Sequence, residues 1–577
     1  MKSINEAAIV NKWSPMIKES TNTTDTSKLK WMSTYAHYHA LNETAQGGVS
    51  FPYATLNNVQ GVGNAQPAYM AGMTAAGQNN PASHGSGDKW PALLPMSLQV
   101  AARTVGFDLL NVVPMSGPTG VVTYLDYVYA GGKAPYGATP GHSPATKNPS
   151  NLTNADAAFL FKIPAKFDAE LTAGTKVTFT NAEDEAAECL FVGKSRIDGY
   201  PIFRLTESFM TGGINLSEVF DGSEITVTGA TLKSGAKVGF PSMVSTLEDH
   251  IQGFVGAGEH DDAAWTGNWV DGTELYEPMD RATGETMYPR PLNLQVFTKF
   301  VQVGTYKVSI AVTQEQIQDL NKQWGIDVID MIENAAINEV SQSINKHITS
   351  RLFAMGWKNH IQAMESEGIN LNLDVTKRAG GAGLGTSPAF AYASDNGTIV
   401  KESMAMQGVN YGPSDVSSPL VNQDVIIKAI MAQFIVAGNV IMQRGRRGPA
   451  NFAVMNAKLA GALQSNTQYS FSPIENTISQ GNGQLYPLGT IAGITIYVDP
   501  NMKFDDTRIL VGRKGNVEEP GVVFCPYLLS ESVKLISEGT AAPKVIISSR
   551  YALVDAGFHP ETQYLTMYVK TSAGALI

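Results

Sequence analysis

The sequence predicts an α+β protein built from several units, and three observations carry that prediction. Apolar residues recurring at three- and four-residue spacing mark one dominant helix over residues 328–355. Short β-rich runs separated by Asp-Gly turn signals mark a small β unit between about residues 150 and 245. Residues 44–90, rich in Gly, Ala, Asn, Gln and Pro, lack a regular apolar period and read as an extended arm. With 577 residues the chain exceeds one compact core and implies roughly two to four domains.

The bulk numbers narrow the function. Only 16% of residues are charged and 43% are hydrophobic, which fits a surface covered by other copies of itself as well as a loop-rich β protein. The net charge of −11 argues against non-specific binding to a polyphosphate as the main activity. The two cysteines, Cys189 and Cys525, form neither a disulfide framework nor a metal cluster and read as buried free thiols. Met1 to Asn11 lacks the apolar core of a signal peptide, and no stretch approaches the ~20 apolar residues of a membrane span. A soluble protein that is not exported by the usual route is expected.

In chain order, Glu6, Ala7, Ala8, Ile9, Val10 and Trp13 read as a short amphipathic helix interrupted by Pro15. Residues 1–43 are slightly basic in an otherwise acidic chain. After the arm, Leu93 to Ala102 reads as helical, and Val121 to Tyr129 as a strand. The small β unit holds strands at Lys176–Thr180, Cys189–Val192, Tyr200–Leu205 and Glu224–Thr228. Residues 250–295 are loop-like, and Val301 to Val312 reads as one strand. The dominant helix follows, with Asp327 as its N-cap and Ile329, Ile332, Ala336, Val340, Ile344 and Leu352 on its apolar stripe. From Val328 to Met355 it would be ~40 Å long. Val421 to Met442 reads as a second helix. Strands are expected at Phe452–Met455, Thr490–Val498, Arg508–Val511, Gly521–Pro526, Lys544–Val554 and Tyr564–Tyr568.

Catalytic chemistry finds no footing. Gly380 to Ser387 has the glycine spacing of a phosphate loop, but Thr386 stands where the phosphate-neutralising lysine belongs. His37 and His39 would share one face of a strand, yet no third ligand follows at metal spacing. No cofactor and no metal are expected. The strongest basic cluster, Arg444, Arg446 and Arg447, is expected to pair with carboxylates of a neighbouring subunit.

Several segments then resemble one family. They are Asn11-Lys12-Trp13-Ser14-Pro15, the run from Phe107-Asp108-Leu109-Leu110 to Pro118-Thr119-Gly120, and Gln318-Asp319-Leu320 with Gly325-Ile326-Asp327. Further on come Gly448-Pro449-Ala450-Asn451-Phe452, Tyr497-Val498-Asp499, Gly521 to Tyr527 and Arg550-Tyr551. In this order they resemble the major capsid proteins of T-even-like tailed bacteriophages. The resemblance implies the Hong Kong 97-type capsid fold with a β-rich insertion domain at about 150–245. It implies a cleaved propeptide at 1–43, an N-arm at 44–97 and the start of the P domain at 98–120. It further implies an E-loop at 121–303, P-domain residues 304–358 with a spine helix at 328–355, an A domain at 359–530, and a return to the P domain at 531–577.

The function so implied is mechanical. Copies would assemble, mainly as hexamers, into an icosahedral or prolate head enclosing double-stranded DNA without sequence-specific binding, in a virion assembled in the bacterial cytoplasm. An acidic wall suits such a container, because it does not grip its cargo. Implied partners are further copies of the chain, the vertex protein, an internal scaffold, the prohead protease, the portal and decoration proteins. The family's protease cuts after Glu in a Leu-x-Glu pattern. Leu41-Asn42-Glu43, followed by Thr44, fits it at the compositional boundary. Three other readings stay open: the pentameric vertex protein of the same family, a cellular nanocompartment shell, and a carbohydrate-binding or adhesive β protein.

Overall fold

The computed structural model describes residues 6–21, 26–45, 100, 104–129, 160–205, 219–248, 292–378, 390–409, 419–465, 472–473 and 485–570, apart from short gaps inside these ranges. Two helices open the chain, α1 (Glu6–Thr21) and α2 (Thr26–Ala45). Strand β1 (Asn111–Val112) precedes the long β2 (Thr119–Tyr129). The small β unit comprises β3 (Leu160–Lys162), β4 (Lys176–Thr180), β5 (Ala186–Lys194), β6 (Pro201–Leu205), β7 (Thr226–Thr228) and β8 (Ser242–Met243). Strands β9 (Leu292–Gln302) and β10 (Gly304–Ala311) lead to helices α3 (Gln314–Trp324) and α4 (Val328–Glu367). Then come β11 (Leu373–Arg378), β12 (Phe390–Ala393), β13 (Ile399–Glu402), β14 (Gln407–Val409) and helix α5 (Pro419–Gly445). The rest is β15 (Phe452–Met455), α6 (Ala457–Ser465), β16 (Ser472–Pro473), β17 (Tyr486–Ile491), β18 (Ile494–Val498), β19 (Arg508–Gly512), β20 (Gly521–Ile536), β21 (Pro543–Ala556) and β22 (Tyr564–Lys570).

Helix α4 organises the body. Its stripe of Ala336, Ile337, Val340, Ile344, Ile348 and Leu352 is buried, because residues three and four apart fall on one helix face. That stripe shares a core with Val545 and Ile547 of β21 and Phe524 of β20, in a four-stranded sheet ordered β1-β20-β21-β10. An eight-stranded sheet, ordered β14-β11-β22-β19-β15-β18-β17-β16, lies between α4 and α5. Phe452 and Val454 of β15 join the α4 core, while Ala453 and Met455 join the α5 core with Phe434 and Ile430. A strand covered on both faces needs apolar side chains at every position, as β15 has.

The β unit between β2 and β9 is a six-stranded antiparallel sheet, ordered β7-β4-β5-β6-β3-β8. Alternation along β5 turns Ala187, Cys189 and Phe191 inward. Its core is aromatic. Phe203 meets Phe179 edge-on at 5.4 Å and Phe191 at 5.8 Å. Cys189 and Cys525 are both buried free thiols, and desolvation pushes Cys525 up to about 12 and Cys189 higher still.

The structure redraws several sequence-based boundaries. Helix α4 spans 40 residues, about 60 Å, and runs past Met355 to Glu367. Gly356 lies within the extended helix, and its missing side chain serves a close contact. A Cβ there would lie 2.5 Å from Thr566 Oγ1 and 2.8 Å from Thr566 N, so only glycine lets α4 approach β22 this closely. The strand expected over Val301–Val312 is two, β9 and β10. That expected over Thr490–Val498 is also two, β17 and β18, with Ala492 and Gly493 at positive φ between them. Strand β20 continues to Ile536, across the 530/531 boundary. Helix α1 runs through Pro15, and the 43/44 boundary falls inside α2. The arm beyond Ala45, the Asp327 cap and the Gly380–Ser387 loop lie outside the described residues, as does the Leu93–Ala102 helix apart from helical Val100.

A candidate assembly surface and its ionic anchor

Strands β2 and β9 form a two-stranded ribbon with eleven paired residues, from Thr119↔Gln302 to Tyr129↔Leu292. At ~3.3 Å per residue the ribbon is about 35 Å long. Alternation divides β2 into two faces. Tyr124, Asp126 and Val128 are buried against the body and the β unit, whereas Val121, Thr123, Leu125 and Tyr127 face outward. Across the ribbon, Val121 pairs with Phe300, Leu125 with Val296 and Tyr127 with Leu294. All six are exposed, Phe300 at 68% and Val121 at 61%. A row of apolar cross-strand pairs left in water is a contact surface waiting for a partner.

The β unit joins the body through an apolar cluster shared with β20 and β21, and through buried charges. Lys162 of β3 donates to Asp198 at 2.6 Å and to Glu248. His559 faces Glu248 with Nε2 and Glu561 with Nδ1, the latter at 3.3 Å. With a carboxylate at each ring nitrogen, both nitrogens must carry protons. Burial pulls the His559 pKa down, but Glu248 outweighs it and raises the value to about 9. Burial pushes Glu248 up, and Lys162 and His559 outweigh that, lowering it to about 2. Lys358 of α4 lies 3.7 Å from Glu561. Among the described residues, the cations Lys162, His559 and Lys358 thus face the carboxylates Asp198, Glu248 and Glu561. Ligand atoms of Asp198, Glu248 and His559 lie within 4.8 Å of one another, as a metal would require. The Lys162 ammonium, bonded to both carboxylates, takes the cation's place there.

The three arginines singled out from sequence adjoin this cluster, and each finds partners in its own chain. Arg444, at the end of α5, is fully buried. It donates to Asn359 Oδ1 at 2.9 Å, Glu367 Oε1 at 3.2 Å and the Ile197 carbonyl at 2.8 Å. Glu367 also accepts from Arg196, and Asn359 donates to the Tyr564 carbonyl. Arg446 is exposed and donates to the Thr246 carbonyl at 3.1 Å. Arg447 pairs with Asp126 on the inner face of the ribbon at 3.3 Å. Burial raises the Asp126 pKa, and Arg447 opposes the shift. Neighbouring His360 is held neutral. Its Nδ1 donates to the Thr566 carbonyl, its Nε2 accepts from Leu371 N–H, and burial lowers its pKa to about 4.

Sequence reasoning missed Lys162, Glu248, His559 and Glu561. Their only local signal is a charged residue within an apolar run, as in Phe161-Lys162-Ile163. Leu41, Glu43 and Thr44 lie in the last turns of α2. His37 and His39 also fall in α2 rather than in a strand, so strand alternation does not pair them.

A long helix-braced body, an outward apolar ribbon and an inserted β unit anchored by charge describe a subunit built to tile with its own kind. The family model described as Major capsid protein Gp23 matches residues 87–382 and 407–574, and the chain belongs to that family. It is therefore a structural shell protein, a component of the virion head of a tailed phage, and membership brings with it the Hong Kong 97-type fold expected from sequence. Among solved structures, the chain is similar to the capsid of Myoviridae phage XM1 at 12% identity, covering 51% of this chain and 81% of that one, with a TM-score of 0.27. Mycobacterium phage Che8 gives 10% identity, 50% and 80% coverage and a TM-score of 0.27. The SrpI encapsulin of Synechococcus elongatus gives 11%, 48% and 77%, and 0.25. No curated protein matches the chain.

Proposed function

We propose that the subunit assembles mainly as hexamers, with the outer face of the β2–β9 ribbon lying on a neighbouring copy. The carrying observation is the row of three exposed apolar cross-strand pairs. Burying them against a second copy removes apolar area from water at ~25 cal/mol per Å². The shell encloses double-stranded DNA and meets the vertex protein, portal, internal scaffold and decoration proteins, and it is assembled in the host cytoplasm. Arg446, the exposed arginine of its cluster, is the one through which contact with a neighbouring carboxylate would run. The prohead protease hydrolyses the Glu43–Thr44 amide, after Leu41-Asn42-Glu43, and the shell expands.

The test is the double substitution Val296→Asp and Phe300→Asp. Both side chains are exposed in the single chain, so the subunit should keep its circular dichroism and melting temperature while capsomers and shells vanish from sedimentation profiles. Wild-type yields of shells would sink the ribbon assignment. Counting copies per particle separates this protein from a pentameric vertex protein.

A further inference from the structure

The segment expected to be a detachable tether is part of the core. Ile17 of α1 and Leu29, Met32 and Tyr35 of α2 are buried in the same cluster as Phe107, Phe524 and the apolar stripe of α4. Trp31 meets Phe107 edge-on at 5.4 Å. Phe107 in turn packs on Phe524 at 4.7 Å, and Phe524 stacks on Tyr551 at 5.0 Å. The Tyr551 hydroxyl lies 3.0 Å from His347 Nδ1 on α4. One contiguous row of rings therefore runs from α2 to the spine of the body.

Polar contacts also tie α2 to the body. Leu529 N–H donates to the Tyr35 hydroxyl at 3.0 Å, beside the bulge where the β20–β21 pairing shifts between Leu528 and Glu531. Lys28 pairs with Asp108 at 2.9 Å.

We propose that residues 6–45 are a cis-acting helical plug. Helix α2 fills a helix-shaped seat made by Phe107, Phe524 and Leu529, and while seated it holds the aromatic row and the β20 bulge in one arrangement. Its use as a maturation latch rests on the reading that the chain is cut after Glu43. Hydrolysis of that one amide, with water adding across its C–N bond, severs the plug without dislodging it. Departure of the plug is then a separate step, driven by whatever replaces its buried contacts. The Glu43–Thr44 bond itself sits in helical backbone at the end of α2, so trimming needs that turn to fray first.

The test severs the plug without the natural protease. A heterologous protease site is inserted between Gly47 and Gly48 of the full chain, beyond α2, and the cut protein is followed by size exclusion and by total tryptophan fluorescence, compared with that of a Trp31→Phe variant. The expected result is that the excised fragment co-elutes with the body and that the emission lost in the variant is unchanged by the cut. Tyr35→Phe, a mild change, should raise the fragment's dissociation constant about five- to tenfold. Met32→Ala should raise it further and increase binding of an apolar dye to the body. A wild-type fragment that leaves at once, with no new dye binding, overturns the plug. The N-terminus of subunits in mature particles is read separately. A chain beginning at Met1 there would remove the latch role and the Glu43 assignment, while a bound fragment in the engineered assay would still establish the plug.

Discussion

Two pieces are added to the body, both through apolar clusters, and they differ in the polar groups that accompany the apolar contact. The β unit is held through Lys162, Glu248, His559, Glu561 and Arg444, charges and hydrogen bonds that are fully or nearly buried. Among the described residues, the N-terminal helices are held through Leu29, Met32, Trp31 and Tyr35, accompanied by the Lys28–Asp108 ion pair and the Leu529–Tyr35 hydrogen bond. Buried charge networks fail all at once, because losing one member strands the others away from water. Apolar contact is non-directional, and it can be surrendered gradually or handed to another segment. The β unit therefore depends on every member of a buried charge network staying paired, whereas the N-terminal helices depend mainly on apolar contact with the α4 core.

The largest effect is expected at Arg444. Arg444→Met should cost about 3–5 kcal/mol, since it leaves the Asn359 oxygen and the Ile197 carbonyl without their buried donor and Glu367 with Arg196 as its remaining arginine. Denaturant unfolding measures it. A loss below ~1 kcal/mol would mean that water reaches the junction and that the attachment is not a buried one.

The next test is pH. The His559 pKa is raised, from 6.5 to about 9, so its stabilisation is complete below 6.5 and fades as pH rises through about 9. That of Glu248 is lowered, from 4.5 to about 2, so its stabilisation is complete above 4.5 and fades as pH falls toward 2. Hydrogen exchange of β3 and β6 amides, corrected for the intrinsic pH dependence, should therefore speed up above pH 9, with α2 amides as the internal reference. Equal acceleration in both regions would erase the distinction drawn between them.

The smallest effect sharpens the hairpin side. Tyr35→Phe should cost about 1–1.5 kcal/mol by leaving Leu529 N–H buried and unpaired. Lys28→Ala, at a partly exposed pair, should cost no more than ~0.5 kcal/mol. If the ion pair outweighed the hydroxyl in thermal melts, the hairpin would be held by charge after all.

Legibility in the sequence followed the range of the interactions. The α4 stripe, the β unit and the α5 helix were legible because a repeat of 3.6 or 2 residues is a local pattern. Pairings such as β15 with β19, or Glu248 with His559 at a separation of 311 residues, leave no such trace. Arg444, Arg446 and Arg447 were legible as a cluster, but their partners were sought on a neighbouring subunit. Ile197, Thr246 and Asp126 of the same chain come to them only when α5 packs beside the β unit.

By itself the sequence determined the class of fold, the family to which the chain belongs and the absence of a recognisable catalytic motif, because periodicity, turn chemistry and ordered motifs are written in consecutive residues. Only the tertiary structure decided that Gly356 lets α4 approach β22 closely, that the N-terminal segment belongs to the core, and that one lysine and one histidine anchor the β unit. Those outcomes depend on which distant surfaces exclude water together, and burial is a property of the assembled chain rather than of any stretch of it.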